Sequence, residues 1–125
     1  MPCYVRRIGE HDSILIILGC WLELILAGKK TLEIRGKMCR KQVGKTIWLC
    51  ASGTGLVMGK ARVTDAYPLS ERKWEATRHL HLVPGKRLYG AKTHAWAFED
   101  VQHVAPVAIV RKRGSIDLQT GPGSA

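Results

Sequence analysis

The sequence predicts an α+β domain in which a β-barrel or strongly curved sheet carries two or three short helices. The first reason is length, because 125 residues suffice for one hydrophobic core but not for two. The second is a series of short β-branched and aromatic runs separated by turns that contain glycine or proline. The third is that two segments have the flanking signals of short helices. We expect one domain over residues 1–119 and a flexible tail over residues 120–125.

The first apolar stretch, residues 14–27, predicts a buried strand followed by a short helix. Its start is rich in β-branched residues, which favours a strand over residues 13–18. Trp21 and the leucines after it continue the apolar character up to Gly28, a residue type that commonly ends a helix. The stretch contains Glu23 and is shorter than the roughly 20 apolar residues that a membrane span needs. It is therefore predicted to belong to the core.

The remaining elements follow from apolar runs and their boundaries. Residues 47–51 and 56–63 predict a hairpin, with Gly59 marking a bulge and Pro68 ending the strand region. Ser70 is a suitable N-cap for a helix from Glu71 to about Leu80, with Trp74 facing inward. Further strands are predicted over residues 94–98 and 106–110, and a last short segment over residues 115–119.

The charge of the chain favours an anionic partner. Lys and Arg number 20 against 10 Asp and Glu, which gives a formal net charge of +10 and a pI near 9.9. Nucleic acid is the first candidate and an anionic membrane the second, while a merely solubilising surface is the alternative. Two loops concentrate the cations: the first basic loop, residues 36–45, and the second basic loop, residues 84–92.

The four cysteines, Cys3, Cys20, Cys39 and Cys50, form no CxxC pair. This spacing indicates neither a zinc site nor a redox motif, and it fits reduced thiols in a cytoplasmic or nuclear protein. The histidines show no ligand spacing and are interpreted as neutral, locally satisfied side chains. We expect no metal and no cofactor.

Residues 28–36, GKKTLEIRG, bring a lysine pair, a glutamate and an arginine close together in the chain. In a strand, Thr31, Glu33 and Arg35 share one face, and Lys30 lies at the helix–strand junction, from which it can turn into the same cleft. Spacing alone favours an ordinary Glu/Arg pair on a solvated strand, which contributes little to stability.

These residues resemble a known family. Gly28, Lys30, Glu33 and Arg35 match the G-x-K-x-x-E-x-R signature of the ASCH domain family. Other positions also occur in the family's order, one before the signature and the rest after it: Trp21, Ser52, Gly59, Trp74, His81, Trp96 and Pro106. The resemblance covers about residues 13–119. It implies a PUA-like β-barrel with two or three short helices, and a cleft lined by the signature strand. It also implies nucleic acid or a modified nucleoside as ligand.

The resemblance leaves an enzyme as the alternative. One branch of ASCH-like proteins hydrolyses N4-acetylcytidine with a lysine, a threonine nucleophile and an arginine. Lys30 and Arg35 match two of these, whereas Glu33 stands where the threonine would be. Other ASCH-like proteins have been assigned ribonuclease activity, and a lysine with Ser52, Tyr67 or Tyr89 could serve phosphodiester cleavage, although no spacing in the sequence supports it. If the chain is an enzyme, the predicted catalytic residues are Lys30, Glu33 and Arg35.

We expect a monomeric domain that binds RNA or another single-stranded nucleic acid, or a modified nucleoside, and no membrane. Of the aromatic side chains that can stack on bases, Trp48, Tyr67, Tyr89 and Trp96, the best placed is Tyr89, since Trp21 and Trp96 are predicted to be core. A protein-interaction module in transcription or translation is the third alternative. The predicted binding residues are Lys29, Lys30, Thr31, Glu33, Arg35, Lys37, Arg40, Lys41, Lys45, Ser52, Lys86, Arg87, Tyr89 and Lys92.

Overall fold

The computed structural model describes residues 13–108 and 116–117. Within these residues one mixed sheet runs in the order β2-β5-β4-β3-β1-β6. The strands are β1 (Ser13–Ile17), β2 (Leu32–Arg35), β3 (Thr46–Ala51), β4 (Leu56–Pro68), β5 (His94–Ala108) and β6 (Ile116–Asp117). β1 pairs in parallel with β3 and β6, whereas the other pairs are antiparallel. This curved half-barrel with short helices confirms the predicted α+β, PUA-like class. The predicted tail, residues 120–125, lies outside the described residues.

The described helices are α1 (Gly19–Leu26), α2 (Glu71–Ala76) and α3 (Arg78–His81), with 3-10 turns at Arg40–Gln42 and Gly90–Lys92. The apolar stretch 14–27 divides into β1, whose five residues are all buried, and α1, which buries Leu22 and Ile25. Gly28 follows with φ of 78°, and the N–H groups of Lys29 and Lys30 both donate to the carbonyl of Leu24. The predicted end of the helix at Gly28 is confirmed. None of the helices within residues 13–108 is long and apolar enough to cross a membrane.

Gly59 lets α1 approach the sheet. A Cβ atom at this position would lie 2.5 Å from Cδ2 of Leu26 and 3.0 Å from the carbonyl oxygen of Gln102. The β3–β4 register shifts beside it, since Leu49 pairs with Gly59 but Cys50 pairs with Val57. The predicted bulge is confirmed, and the missing side chain makes room for the helix.

β5 corrects one sequence prediction. Residues 94–98 and 106–110 were expected to form two strands, but His94–Ala108 is one strand of 15 residues that pairs with β4 as far as Leu56. Three register shifts and the positive φ of Asp100, 53°, let the strand bend without ending. Pro106 falls within one such shift, between the pairs Gly59–His103 and Val57–Val107. Residues 109–110 lie outside the described part.

The predicted helix 71–80 is instead two helices. The hydroxyl of Ser70 accepts a hydrogen bond from the N–H of Lys73 at 3.2 Å, which confirms the cap. The break comes at Thr77, whose hydroxyl donates to the carbonyl of Lys73 at 2.7 Å and whose φ of −111° leaves the helical region. Trp74 is buried at 1% exposure, as predicted. α3 then ends at Leu82 in the left-handed conformation, with φ of 62°.

Candidate functional site

Lys30, Glu33 and Arg35, called here the signature cluster, are the charged side chains that are buried within residues 13–108. Their exposed fractions are 1%, 4% and 5%. Charged residues are rarely buried unless they are paired, so three in one signature indicate a built site. The interpretation of a solvated surface pair, which spacing alone favoured, is wrong. With Lys30 protonated, two positive charges face one negative charge, and the cluster carries a surplus of +1.

β2 holds Glu33 and Arg35 opposite Trp96 and His94 of β5. Leu32 and Ile34 alternate with them and pack into the core around Trp74, so the strand is buried on both faces. The centre of the Arg35 guanidinium lies 6.0 Å from the ring centroid of Trp96. Thr31 precedes β2 and is exposed. Its N–H donates to the carbonyl of Leu80, and its carbonyl accepts from the N–H of Phe98. It therefore does not join the buried cluster.

Lys30 is held on three sides. Its Nζ donates to the carbonyl oxygen of His81 at 2.5 Å and lies 3.8 Å from Oε1 of Glu33. The Trp21 ring centroid is 4.9 Å away, within the range of a cation–π contact. Burial lowers the pKa of Lys30 from 10.5 to about 8, although Glu33 and Cys20 act in the opposite direction. The ammonium is thus charged at neutral pH and titrates slightly above it.

His81 is fixed where it presents its carbonyl to Lys30. Its Nδ1 accepts from the N–H of Val83 at 2.9 Å, so its Nε2 carries the proton and donates to the carbonyl of Trp74 at 2.9 Å. The ring stacks on Trp74 with centroids 4.0 Å apart, and burial lowers the pKa of the imidazole. The predicted neutral, locally satisfied histidine is confirmed here. Its contact with Lys30 was missed, because no local pattern signals a backbone acceptor 51 residues away.

Arg35 is only half satisfied. Its Nη1 donates to Oε2 of Glu33 at 3.1 Å and to the carbonyl oxygen of Ile16 at 3.3 Å. Its Nε and Nη2 are buried and have no hydrogen-bond partner among the described residues. Leaving a buried donor unpaired costs about 1–3 kcal/mol, and more for a charged group. Such atoms in a native structure point to a ligand or to ordered water.

Tyr89, the aromatic side chain that the sequence favours for stacking, lies beside the cluster. Gly36 directly follows Arg35, and a Cβ atom at Gly36 would lie 3.0 Å from Cδ1 of the Tyr89 ring. Burial raises the pKa of the Tyr89 phenol, while the nearby charges of Arg35 and Glu33 act on it in opposite directions. Because Tyr89 belongs to the second basic loop and Gly36 begins the first, the two loops meet beside Arg35.

The other candidate aromatic side chains are placed differently. Trp96 is buried at 2% exposure, as predicted. Trp48 is 6% exposed and lies in a core cluster with Ile14 and Ile16, so of the four aromatic side chains considered for stacking it is not one that can serve. It is a hydrophobic strand residue that packs between β1 and β4. Tyr67 is half-buried, with the ammonium of Lys73 at 5.7 Å from its ring centroid.

The predicted cations lie mainly on the surface. The exposed ones are Lys29, Lys37, Arg40, Lys41, Lys45, Lys86 and Lys92. The indole N–H of Trp96 donates to the carbonyl of Lys37 at 2.9 Å, which fixes the start of the first basic loop against β5. Arg87 is half-buried; its Nη1 donates to the carbonyl of Leu69 at 3.1 Å, and its Nη2 lies 3.5 Å from Oε1 of Glu71. Ser52 is half-buried after β3, and its N–H donates to the carbonyl of Ile17.

An open groove of about 300 Å³ lies apart from the signature cluster. It is lined by Pro68, Leu69, Ser70, Lys73, Arg87 and Ala91. The sequence pattern held no signal for it, because its walls come from two segments that are separated by α3. None of the cluster residues lines this groove.

The pKa of Lys30 makes a stability prediction. Between about pH 8 and about pH 9 the unfolded chain keeps this lysine protonated while the folded protein loses the proton. The unfolded state then binds more protons, so this group makes the free energy of unfolding rise with pH, by about 1 kcal/mol over that unit. Urea denaturation of the wild type and of Lys30→Met at both pH values checks this. Between the two pH values the free energy of unfolding of the wild type should rise relative to that of Lys30→Met. An equal change in both proteins would contradict the prediction.

Comparison with known proteins agrees with this architecture. Crystal structures of an ASCH protein from Zymomonas mobilis, and of a serine-to-alanine and a tyrosine-to-phenylalanine variant of it, share the fold. Their TM-scores are 0.68, 0.67 and 0.68. Each is 18% identical to the chain; the aligned parts cover 78%, 81% and 79% of this chain and 74%, 77% and 77% of those. Comparison with curated proteins gave no significant match. The family model described as ASCH domain matches residues 15–108, and the chain therefore belongs to the ASCH domain family.

Proposed function

We propose that this ASCH domain binds single-stranded nucleic acid, RNA in the first place, and holds one nucleotide at the signature cluster. The observation that carries the proposal is the buried surplus of positive charge formed by Lys30, Glu33 and Arg35. An uncompensated charge in a buried site is unfavourable, and an anionic ligand offsets it. The formal charge of +10 on the whole chain supports an anionic partner of extended shape.

The two basic loops support the same partner. They meet where Tyr89 contacts Gly36, directly beside Arg35. The lysines of both loops and Arg40 are exposed, and so can neutralise phosphates along a strand. Tyr89 supplies an aromatic side chain at the same place, and base stacking on such rings contributes about 1–3 kcal/mol per base. A single strand, whose bases are free to stack, suits this arrangement better than a duplex.

Fluorescence anisotropy with a labelled single-stranded oligoribonucleotide tests the proposal. We expect the logarithm of the affinity to fall linearly with the logarithm of salt concentration, by about 0.7 per neutralised phosphate. The double variant Lys41→Gln/Lys86→Gln, one change in each basic loop, removes two phosphate contacts and should reduce the slope by about 1.4. Arg62→Gln is the matched control, because the Arg62 side chain is 41% exposed but already paired with Glu99 and Asp100. Absent binding, or an affinity that does not respond to salt, would overturn the proposal.

A hydrolase is the second candidate, and the lowered pKa of Lys30 is the observation that favours it. An amine that titrates near neutral pH is suited to general acid–base catalysis. Amide hydrolysis of N4-acetylcytidine by water would release cytidine and acetate, and ribonuclease action would shorten a labelled RNA. We expect Lys30→Met to abolish any such product. Lack of turnover at high protein concentration rejects this candidate. If the domain neither binds RNA nor turns over these substrates but co-purifies with another protein, an interaction module is favoured.

A further inference from the structure

We infer that the group bound at the signature cluster is one phosphodiester of the nucleic-acid backbone, held by Nε and Nη2 of Arg35 together. The inference rests on the proposed function and specifies its ligand chemistry. It would assign the cluster to the backbone, so that the bound group carries no base identity.

The first argument is the direction of the unpaired donors. In a planar guanidinium, Nε and Nη2 form one edge, and their N–H bonds point the same way. The opposite nitrogen, Nη1, is occupied by Glu33 and by the carbonyl of Ile16. The side chain is thus anchored at one end and presents an intact two-donor edge. Two oxygens on one phosphorus match such an edge, and charge-assisted pairs of this kind are among the strongest hydrogen bonds.

The second argument is the charge of the cluster. Lys30 and Arg35 against Glu33 leave a surplus of +1 at neutral pH. A phosphodiester carries one negative charge and balances that surplus. A terminal phosphomonoester carries about −1.5 to −2 near neutral pH and would leave the buried site negative. A neutral base edge with two acceptors, as in guanine, would leave the surplus uncompensated.

The third argument is access. The unpaired atoms of Arg35 are buried, so a ligand can reach them only if a neighbouring group moves. Tyr89 is the neighbour of Gly36 that belongs to an exposed loop, between the exposed Leu88 and Gly90. If the Tyr89 ring moved away from Gly36, space would open next to Arg35. The ring would then be free to stack on the adjacent base.

The test follows the Nε–H signals of arginine in a ¹⁵N-labelled full-length protein by NMR. The probe is uridylyl-(3′→5′)-uridine, which has one phosphodiester and no terminal phosphate. Arg35→Lys assigns the Arg35 signal by its loss. We expect the probe to shift this signal in a saturable way and to leave that of Arg62 unmoved, since Nε of Arg62 already donates to Asp100. The uncharged methylphosphonate analogue and uridine 5′-monophosphate should each bind about tenfold more weakly.

Several outcomes overturn the inference. The methylphosphonate analogue could bind as tightly as the phosphodiester, or the monophosphate could bind more tightly. The protein could prefer guanine independently of backbone charge. Finally, an acidic peptide could shift the Arg35 signal while the dinucleotide does not. If Arg35→Lys fails to fold, the relative affinities of the wild type for the dinucleotide, its methylphosphonate analogue and the monophosphate still decide the matter. If longer RNA still binds with a salt-dependent affinity while Arg35 does not respond, the inference fails and the proposed function stands. If longer RNA does not bind either, both fail.

Discussion

Replacing Glu33 by glutamine is expected to lower the free energy of unfolding by about 3–5 kcal/mol, the largest effect in the signature cluster. The carboxylate lies 3.8 Å from Nζ of Lys30 and 3.1 Å from Nη1 of Arg35, and all three side chains are at most 6% exposed. Glutamine keeps the shape but leaves two buried cations facing each other without a counter-charge. Urea denaturation at neutral pH measures the loss.

Two further variants make this result interpretable. Glu99→Gln removes a carboxylate that pairs with Arg62 at 3.3 Å but is 64% exposed, and it should cost less than about 1 kcal/mol. Adding Lys30→Met to Glu33→Gln returns the cluster to a single surplus charge, so the double variant should recover part of the lost stability. Equal small losses at Glu33 and Glu99 would show that the cluster is hydrated and that the electrostatic account of the site is wrong.

Trp74→Ala is expected to destabilise the protein by about 3–5 kcal/mol. The indole is 1% exposed, stacks on His81, and donates from Nε1 to the carbonyl of Gly85 at 2.9 Å. Its removal leaves a cavity under α3 and leaves that carbonyl without its indole donor. Because His81 presents the acceptor for Lys30, the variant should also loosen the signature cluster.

The measurement for Trp74 combines urea denaturation with the pH dependence of stability. In Trp74→Ala the rise in the free energy of unfolding between about pH 8 and about pH 9 should shrink, because a more hydrated Lys30 returns toward its ordinary pKa. Leu88→Ala, at a residue 51% exposed, is the matched control and should change stability by less than about 0.5 kcal/mol. A loss near that of the control would mean that the tryptophan is not part of a packed core.

Local patterns predicted much of the fold. The apolar run of β1, the glycine after α1, the alternation in β2 and the serine cap of α2 are all encoded within a few residues, so they could be read directly. The length of β5 could not, because it depends on pairing with β4 across the intervening helices. The break at Thr77 was also missed, since the threonine hydroxyl competes for a helix carbonyl that a smooth pattern assigns to the backbone.

The site was predicted in its residues but not in its environment. Alternation placed Glu33 and Arg35 on the same face, yet an alternating strand usually has one solvated face. Their burial depends on distant partners: the carbonyls of Ile16, 19 residues before Arg35, and of His81, 51 residues after Lys30. The proximity of Tyr89 to Arg35 similarly depends on a loop that returns to Gly36. Sequence periodicity carries no information on such contacts.

The hydrogen bond from Arg35 to the carbonyl of Ile16 has a consequence for folding. It joins β2 to β1, which are separated by three strands in the sheet order. In the folded sheet the two atoms meet because the strands between them curve. β2 itself pairs with β5, which lies far along the chain, and chains dominated by pairings of such large sequence separation cross their folding barrier slowly, on the order of milliseconds to seconds. We therefore expect the signature cluster to form in the same cooperative step as the sheet, so that partly folded chains have no completed site for a ligand.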